Sequence, residues 1–244
     1  DDYVLIGTDD GEDGYSSDTA NLLLLDPKSG KLLDSMTGFT GDIRCSICYD
    51  TATKAFYFTS KGGYLYSVQV QKSGSSWKLA NKKQLKLGGM STSTPVVYNG
   101  RAYIGVSGTG QFTAYSGHNI TVIDLDGAMS IAYRVPTKGY PQASGLLTTA
   151  YENDANGGVY VYFAENTSPG TIRLLYDRKG QTSPALTTME SGKKVAYALF
   201  SPSSGHAEHC ICSLIADAEG TIYFKNDSGH LMAYGRMLKG CLLY

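Results

Sequence analysis

The chain has 244 residues, of which 42% are hydrophobic and 18% are charged, and this is sufficient for one sizeable domain. Its formal net charge of −1 excludes the basic surface that is typical of nucleic-acid-binding proteins. No apolar run reaches the roughly eighteen residues that a membrane-spanning helix needs, so we expect no membrane span.

The first predicted unit, residues 1–38, begins directly in a strand-like run, so its inner strand is missing. The sequence lacks an initial Met, which is typical of a mature or truncated product. The third strand of this unit ends at Asp26, whose side chain can accept backbone N–H groups in a tight turn. The same ending recurs at Asp124 and Asp177, so all three aspartates are predicted to hold turns.

The second unit, residues 39–89, contains a Cys-x-x-Cys motif at Cys45 and Cys48. The motif lies in a strand-like run with no helix after it, which favours buried thiols over a thioredoxin-like redox pair. Trp77 is the only Trp in the chain, and we predict that it lies in an outer strand and packs between units.

The third unit, residues 90–139, gives the clearest strand prediction. An Asn99-Gly100 dipeptide separates two runs of β-branched and aromatic residues, and this pattern is a strong signal for a two-residue hairpin turn. In the fourth unit, residues 140–195, the polar segment 181–194 is predicted to be a loop or a ragged outer strand.

The fifth unit, residues 196–244, contains the densest group of metal-ligand residue types. This group is His206, His209, Cys210 and Cys212. Two His and two Cys side chains suit tetrahedral zinc, but the cysteines are two residues apart without a knuckle turn. We therefore favour a polar loop that leads to the inner strand, and we predict no metal.

Similar strand pairs recur roughly every fifty residues, which predicts an all-β fold and a β-propeller of about five recognisable four-stranded blades. Each inner strand has a Ser near its start, and these are Ser46, Ser93, Ser144 and Ser213. Cys45 and Cys212 precede two of these serines, so we predict equivalent positions and no bond between them. The recognised strands are too few for a complete ring. Either residues 241–244 fold back and close it or, as we favour, further blades or self-association complete it.

Two stretches of the chain resemble a known family. The residues from Ser93 onward read Ser-Thr-Pro-Val-Val-x-Asn-Gly-Arg-x-Tyr-x-Gly, and residues 28–31 read Lys-Ser-Gly-Lys. These motifs resemble the pyrroloquinoline-quinone-like β-propeller repeat. The segments 140–151 and 212–231 are similar to propellers in large surface proteins of gut Gram-positive bacteria. The resemblance covers nearly the whole chain and implies a bacterial cell-surface or extracellular location.

Loops that enter the inner strands of a propeller converge at the mouth of its central channel, where propellers commonly bind ligands. The candidate binding residues on these loops are Asp42, Arg44, Gln142, His206, Glu208 and His209. This set suits a polar small molecule, a glycan or a peptide; alternatively, these side chains only satisfy one another. We predict a non-catalytic binding or scaffold propeller with an unknown ligand or protein partner.

Two catalytic alternatives are kept. A quinoprotein dehydrogenase, as the resemblance implies, has more blades, a Trp docking pattern, adjacent bridged cysteines and calcium ligands. Here Asp34 or its neighbours occupy the docking position, and no two cysteines are adjacent. A hydrolase needs a nucleophile and a base, but no Gly-x-Ser-x-Gly elbow occurs. We therefore predict no cofactor and no enzymatic activity.

Overall fold

A computed structural model describes residues 2–9, 11, 14–108, 117–153 and 157–235. These residues form five antiparallel sheets that follow one another in chain order, and no α-helix occurs among them. The all-β prediction is therefore confirmed. We number the sheets one to five along the chain.

The first three sheets contain the first eleven strands. The first sheet is formed by β1 (Val4–Gly7), β2 (Ala20–Leu25) and β3 (Leu32–Phe39). The second sheet is formed by β4 (Cys48–Asp50), β5 (Ala55–Thr59), β6 (Tyr64–Ser73) and β7 (Ser76–Lys86). The third sheet is formed by β8 (Val96–Tyr98), β9 (Arg101–Val106), β10 (Asn119–Asp124) and β11 (Ser130–Pro136).

The last two sheets depart from the four-stranded pattern. The fourth sheet contains β12 (Leu146–Thr148), β13 (Val159–Ala164), β14 (Ile172–Asp177), β15 (Thr187–Glu190) and β16 (Lys193–Phe200). Its strand order is β12-β13-β14-β16-β15. The short 3-10 helix Ser204–His206 follows, and the described part of the fifth sheet is β17 (Ile215–Ala216), β18 (Ile222–Lys225) and β19 (Leu231–Tyr234).

The polar segment 181–194 contains β15 and the start of β16. Ser191 and Gly192 both have positive φ, at 49° and 76°, and they form the two-residue turn between these strands. β16 then pairs with β14 and continues to Phe200, so the fourth sheet extends past the predicted unit limit at residue 195. The Ser191-Gly192 dipeptide is the sequence signal that identifies this hairpin.

The Asn99-Gly100 hairpin is confirmed. Both residues have positive φ, at 47° and 75°, and Tyr98 pairs with Arg101 across the turn. This backbone matches the twist of the flanking strands, which explains the preference for Asn-Gly at such turns. The turn therefore fixes the register between the inner strand β8 and the second strand β9.

The three aspartates at the ends of third strands do not share one role. Asp26 Oδ1 accepts hydrogen bonds from Lys28 N–H at 3.1 Å and Ser29 N–H at 2.7 Å, and Asp124 Oδ1 accepts one from Asp126 N–H at 3.0 Å. Asp177 is fully buried, and its carboxylate accepts hydrogen bonds from tyrosines of the third sheet as well as from the backbone N–H of Arg178. The backbone contact predicted for Asp177 is therefore present, but the side chain also binds the neighbouring sheet.

The core is divided into four hydrophobic clusters, one between each pair of successive sheets. Phe39 of the first sheet packs against Phe58 and Tyr66 of the second, with ring centroids 5.4 and 4.9 Å apart. Equivalent clusters join the second sheet to the third, the third to the fourth and the fourth to the fifth. Each sheet is therefore buried by its neighbours in the sequence, as stacked blades are.

The outer strand β7 connects the first two sheets in a second way. Trp77 contacts the ring of Tyr3 with centroids 5.0 Å apart, and Asp34 Oδ2 accepts a hydrogen bond from Leu79 N–H at 2.8 Å. The prediction that Trp77 packs between units is confirmed.

The five described sheets do not close into a ring. Residues 241–244, one of the two predicted ways to close it, lie outside the described part of the chain. None of the described residues belongs to a helix with the length and apolar character that a membrane crossing requires.

Candidate functional site

A cavity of about 650 Å³ lies where the segments that precede the inner strands β4, β8, β12 and β17 meet. We call it the channel-mouth cavity. Each of these four segments contributes a Ser or Thr at the second position before its inner strand, and these are Ser46, Thr94, Ser144 and Ser213. Thr92 adds a further hydroxyl to the lining. The four residues hold the same position relative to their inner strands, so the hydroxyl lining follows from the repeat.

The hydroxyl residues also connect neighbouring sheets. Ser46 N–H donates a hydrogen bond to Thr94 Oγ1 at 3.0 Å, and Ser144 Oγ donates one to Thr94 O at 3.4 Å. The second, third and fourth sheets are thereby linked at the rim of the cavity. Hydroxyl groups both donate and accept hydrogen bonds, so the lining suits a polar ligand.

The register corrects one part of the predicted serine pattern. Thr94, and not Ser93, is equivalent to Ser46, while Ser93 is equivalent to Cys45 and Cys212. These three side chains have a different structural role from the hydroxyl lining: each accepts a hydrogen bond from a backbone N–H near the end of the adjacent second strand. The donors are Thr59 N–H to Cys45 at 3.1 Å, Gly105 N–H to Ser93 at 3.2 Å and Lys225 N–H to Cys212 at 3.4 Å.

The predicted equivalence of Cys45 and Cys212 therefore agrees with the structure. Both thiols lie against the last residue of a second strand, and all four described cysteines are free. Cys241 lies outside the described residues. Burial raises the pKa of Cys45 and Cys48, which keeps both as neutral thiols.

The charged group at the cavity consists of Asp42, Arg44 and Lys61, together with Asp9, which pairs with Arg44 at 3.1 Å. Asp42 Oδ2 lies 2.9 Å from Arg44 Nε and 3.2 Å from Lys61 Nζ. The Asp42 carboxylate is almost fully buried and lies behind the wall, while Arg44 and Lys61 line the cavity. Among the described residues that line the cavity, no Asp or Glu occurs. The side chains that line the cavity therefore carry positive charge, which Asp42 and Asp9 offset from outside the lining.

A further part of the lining is formed by Tyr140, His118, Gln142 and Asn166. Tyr140 Oη accepts a hydrogen bond from Thr92 N–H at 2.7 Å, and its ring lies 6.4 Å from the ring of His118, centroid to centroid. Burial lowers the pKa of His118, which favours its neutral form. Asn166 Nδ2 donates a hydrogen bond to Gln142 Oε1 at 2.9 Å, so these two amides support each other.

The structure brings together three of the six predicted binding residues. Arg44, Gln142 and His209 line the channel-mouth cavity, and Asp42 contacts it through Arg44 and Lys61. His206 and Glu208 do not line it. His206 ends the 3-10 helix, and its ring packs against the ring of His230 with centroids 4.4 Å apart.

The four metal candidates do not converge. His209 lines the cavity, His206 contacts His230, and the two sulfur atoms of Cys210 and Cys212 lie against Lys225 O at 3.2 and 2.8 Å. Within the described ranges, no group of three or more His, Cys, Asp or Glu side chains is arranged to hold a metal ion.

Sequence reasoning missed Lys61, His118, Tyr140 and Asn166. Lys61 and Asn166 occupy the same position after the second strands β5 and β13, which is a signal that the repeat alignment contains. His118 lies just before β10, and no residue around it marks it as part of the lining.

No protein-family model and no curated protein matches this chain. Solved structures do match it across its whole length. The WD40 β-propeller domain of Doa1 is 15% identical with a TM-score of 0.55, and the match covers 99% of this chain and 64% of that one. By fold, the chain is a β-propeller.

Two further propellers of different function are equally similar. A putative 6-phosphogluconolactonase from Bacteroides fragilis is 14% identical with a TM-score of 0.54, covering 100% of this chain and 67% of that one. A quinohemoprotein alcohol dehydrogenase from Pseudomonas putida is 13% identical with a TM-score of 0.55, and this propeller spans 43% of it. At these identities the likeness shows the fold alone, since one fold serves many functions.

Proposed function

We propose that this propeller is a non-catalytic binding module whose channel-mouth cavity holds a small polyhydroxylated ligand with a negatively charged group. The observation that carries the proposal is the composition of the lining. Hydroxyl side chains from four sheets surround the cavity, and Arg44 and Lys61 are present without a lining carboxylate.

The charge argument depends on Asp42. This buried carboxylate contacts both cations, and Asp9 also pairs with Arg44, with both of its carboxylate oxygens at 3.1 Å. The Asp9–Arg44 pair is more than half exposed, and such pairs contribute little, so an anionic ligand can take the place of Asp9. Lys61 is only 10% exposed, and a cation that is poorly solvated gains more from a second anion than an exposed one does. Arg44 is half exposed, and its guanidinium already donates two parallel hydrogen bonds to the exposed Asp9 carboxylate, which is the contact that a ligand carboxylate or phosphate would replace.

Glucose, gluconate and 6-phosphogluconate test this proposal because they share hydroxyl groups and differ in charge. One compared propeller is named a putative 6-phosphogluconolactonase, which makes this series a natural choice. In isothermal titration calorimetry we expect 6-phosphogluconate to bind most tightly and glucose most weakly. Equal affinity for all three, or binding of none, would overturn the proposal, and turnover of the corresponding lactone would make the cavity an active site.

The variant Arg44→Gln tests which residue recognises the charge. We expect it to weaken the binding of 6-phosphogluconate by roughly tenfold, because a charge-assisted bidentate contact is lost. Lys179→Gln is the matched control, since Lys179 also pairs with an aspartate, Asp126, at 2.9 Å but lies away from the cavity. An equal loss in both variants would mean that only the overall charge matters.

The resemblance of the repeat supports a bacterial cell-surface or extracellular location as a further part of the proposal. Labelling of intact cells with a membrane-impermeant amine reagent tests it, because a surface protein is labelled before lysis. Labelling only after lysis would contradict this location.

We also propose that self-association or further blades cover the two outer sheets. Val4 and Ile6 on β1 are 41% and 44% exposed, and Ile215 and Leu231 on the fifth sheet are 64% and 56% exposed. Apolar side chains that are exposed in this way at sheet edges favour association. Sedimentation velocity tests self-association, and a stable monomer at all concentrations would contradict it and favour closure by residues 241–244 or by further blades.

A further inference from the structure

Two sulfur atoms meet at the entrance to the fifth sheet. Cys210 Sγ and Cys212 Sγ are 3.7 Å apart, and both lie within hydrogen-bond distance of Lys225 O, at 3.2 and 2.8 Å. We call these two thiols with Lys225 the thiol clasp. Cys210 is fully buried in the cluster between the fourth and fifth sheets, whereas Cys212 is partly exposed.

The third sheet contains the same arrangement made with hydroxyl groups. Ser91 and Ser93 hold the positions of Cys210 and Cys212 relative to the inner strand. Ser91 Oγ donates a hydrogen bond to Gly105 O at 2.7 Å, and Gly105 N–H donates one to Ser93 Oγ at 3.2 Å. This hydroxyl clasp shows that the structural task needs two small polar side chains and does not need sulfur.

We propose that the thiol clasp is a redox site, at which Cys210 and Cys212 form a reversible disulfide by exchange with a low-molecular-weight disulfide. In extended chain, residues two apart have Cα atoms about 6–7 Å apart, at the upper end of the range of roughly 4.4–6.8 Å seen across disulfides. The two side chains lie on the same side of the segment, and their sulfur atoms are already in contact.

The two thiols have different roles in the exchange. The Cys210 thiol and the Lys225 N–H lower the pKa of Cys212, so Cys212 ionises first, while the same contact and burial raise the pKa of Cys210. The charged groups that act on the pair are Lys225 and Asp227. Cys212 is therefore the attacking thiolate, and the buried Cys210 is the resolving thiol.

The reaction balances as a two-electron exchange. The Cys212 thiolate attacks one sulfur of the external disulfide, forms a mixed disulfide and releases one thiolate. Cys210 then attacks Cys212 Sγ, the internal S–S bond forms, and the second external thiolate leaves. The two protons of the clasp end on the two released thiols, so the cysteines are oxidised and the external disulfide is reduced.

Tryptic peptides separate this site from the other thiols. The peptide of residues 195–225 contains Cys210 and Cys212 and no other cysteine, while the peptide of residues 45–54 contains Cys45 and Cys48. The folded protein is treated with glutathione disulfide, quenched with acid and alkylated. We expect peptide 195–225 to escape alkylation and to have a mass two hydrogen atoms below that of its unalkylated reduced form. Dithiothreitol before alkylation should restore both reactive thiols, and peptide 45–54 should be alkylated at both cysteines throughout.

Single variants test the two roles. Cys210→Ser is expected to stop at a glutathione adduct on Cys212, because the resolving thiol is missing. Cys212→Ser is expected to give no adduct on Cys210, because that thiol is buried. If Cys210→Ser gives no more adduct on Cys212 than on Cys45, the proposed reactivity of the clasp is wrong.

The double variant Cys210→Ser/Cys212→Ser separates redox chemistry from folding. It recreates the hydroxyl clasp of the third sheet, so we expect its circular dichroism spectrum and thermal midpoint to stay close to those of the parent protein. If the folded parent protein shows no loss of hydrogen from peptide 195–225, while the urea-unfolded chain does, the fold prevents the disulfide and the proposal fails.

Discussion

The interface between the second and third sheets and the interface between the third and fourth sheets are built on different principles. The first is an apolar core that includes Leu65, Ile104 and Leu125, and its described residues form no ion pair. The second also has an apolar core, but it encloses Arg101 and Asp177, which are 2% and 0% exposed and lie 3.7 Å apart.

The enclosed carboxylate of Asp177 is held by the third sheet. Tyr103 Oη and Tyr133 Oη donate hydrogen bonds to it at 2.9 and 2.7 Å, and Arg101 Nη2 donates to Gln181 O at 2.7 Å. Burial raises the pKa of Asp177 and of both tyrosines, so the tyrosines remain protonated donors. An apolar interface tolerates exchange of one hydrophobic side chain for another, whereas a polar network requires each of its partners.

The largest effect is expected from Asp177→Ala. This change leaves the Arg101 charge buried without its counter-ion and two tyrosine hydroxyls without their acceptor, which should lower the free energy of unfolding by about 3–5 kcal/mol. Asp126→Ala is the control, because Asp126 pairs with Lys179 on the surface and such pairs contribute less than about 1 kcal/mol. Urea unfolding followed by circular dichroism measures the free energy of unfolding of both variants. Equal decreases would contradict the expected difference between the buried and the surface ion pair.

The next effect concerns the apolar interface. Leu65 is fully buried there, so Leu65→Ala should cost about 2–4 kcal/mol of unfolding free energy through lost burial and a cavity. Leu65→Met keeps the volume and should cost less than about 1.5 kcal/mol. If the Met variant is as unstable as the Ala variant, the apolar interface does not tolerate exchange of one hydrophobic side chain for another, and the contrast with the polar network between the third and fourth sheets is wrong.

A smaller effect is expected when one hydroxyl of the network is removed. Tyr133→Phe should cost about 1–2 kcal/mol, because a buried charge-assisted hydrogen bond is lost. Tyr57→Phe is the matched change at the apolar interface, where the Tyr57 hydroxyl donates only to Thr53 Oγ1, at 3.1 Å, in a partly buried position. Thermal unfolding should rank the Tyr133 variant as the less stable, and the reverse order would contradict the comparison.

The smallest expected effect is a pH dependence within the fourth sheet. Hydrogen bonds from Arg173 lower the pKa of Glu190, so this carboxylate binds protons less readily in the folded chain than in the unfolded one. Its stabilising contribution is complete above the unfolded pKa of about 4.3 and disappears as the pH falls through the lower folded pKa. Glu190→Gln should therefore reduce the loss of stability on acidification, and an unchanged acid profile would contradict this assignment.

The sequence predicted those parts of the fold whose cause is local. The Asn99-Gly100 turn and the Asp26 turn depend only on residues beside them, and the recurrence of strand pairs predicted the order of the sheets. The role of Asp177 was not predictable in this way. Its tyrosine donors lie 74 and 44 residues away, and its local sequence resembles that of Asp26.

The candidate site was also predicted only where a residue's position follows from the repeat. Arg44, Gln142 and His209 precede inner strands, and the repeat places such residues at the channel mouth. His206 shares that loop, but the 3-10 helix Ser204–His206 directs its ring to His230. Lys61 was missed because its partner Asp42 belongs to a different segment, and the only signal for it is its position two residues after the second strand β5, which matches that of Asn166 after β13.

The separate cluster between each pair of sheets has a consequence for how the chain assembles during synthesis. Among the described residues, each of the first four sheets is formed by residues that are close in sequence and is then covered on one face by the sheet that is translated next. These four sheets do not have to wait for a distant part of the chain before they bury apolar side chains, so folding can proceed from the N-terminal side as the chain leaves the ribosome, one blade at a time.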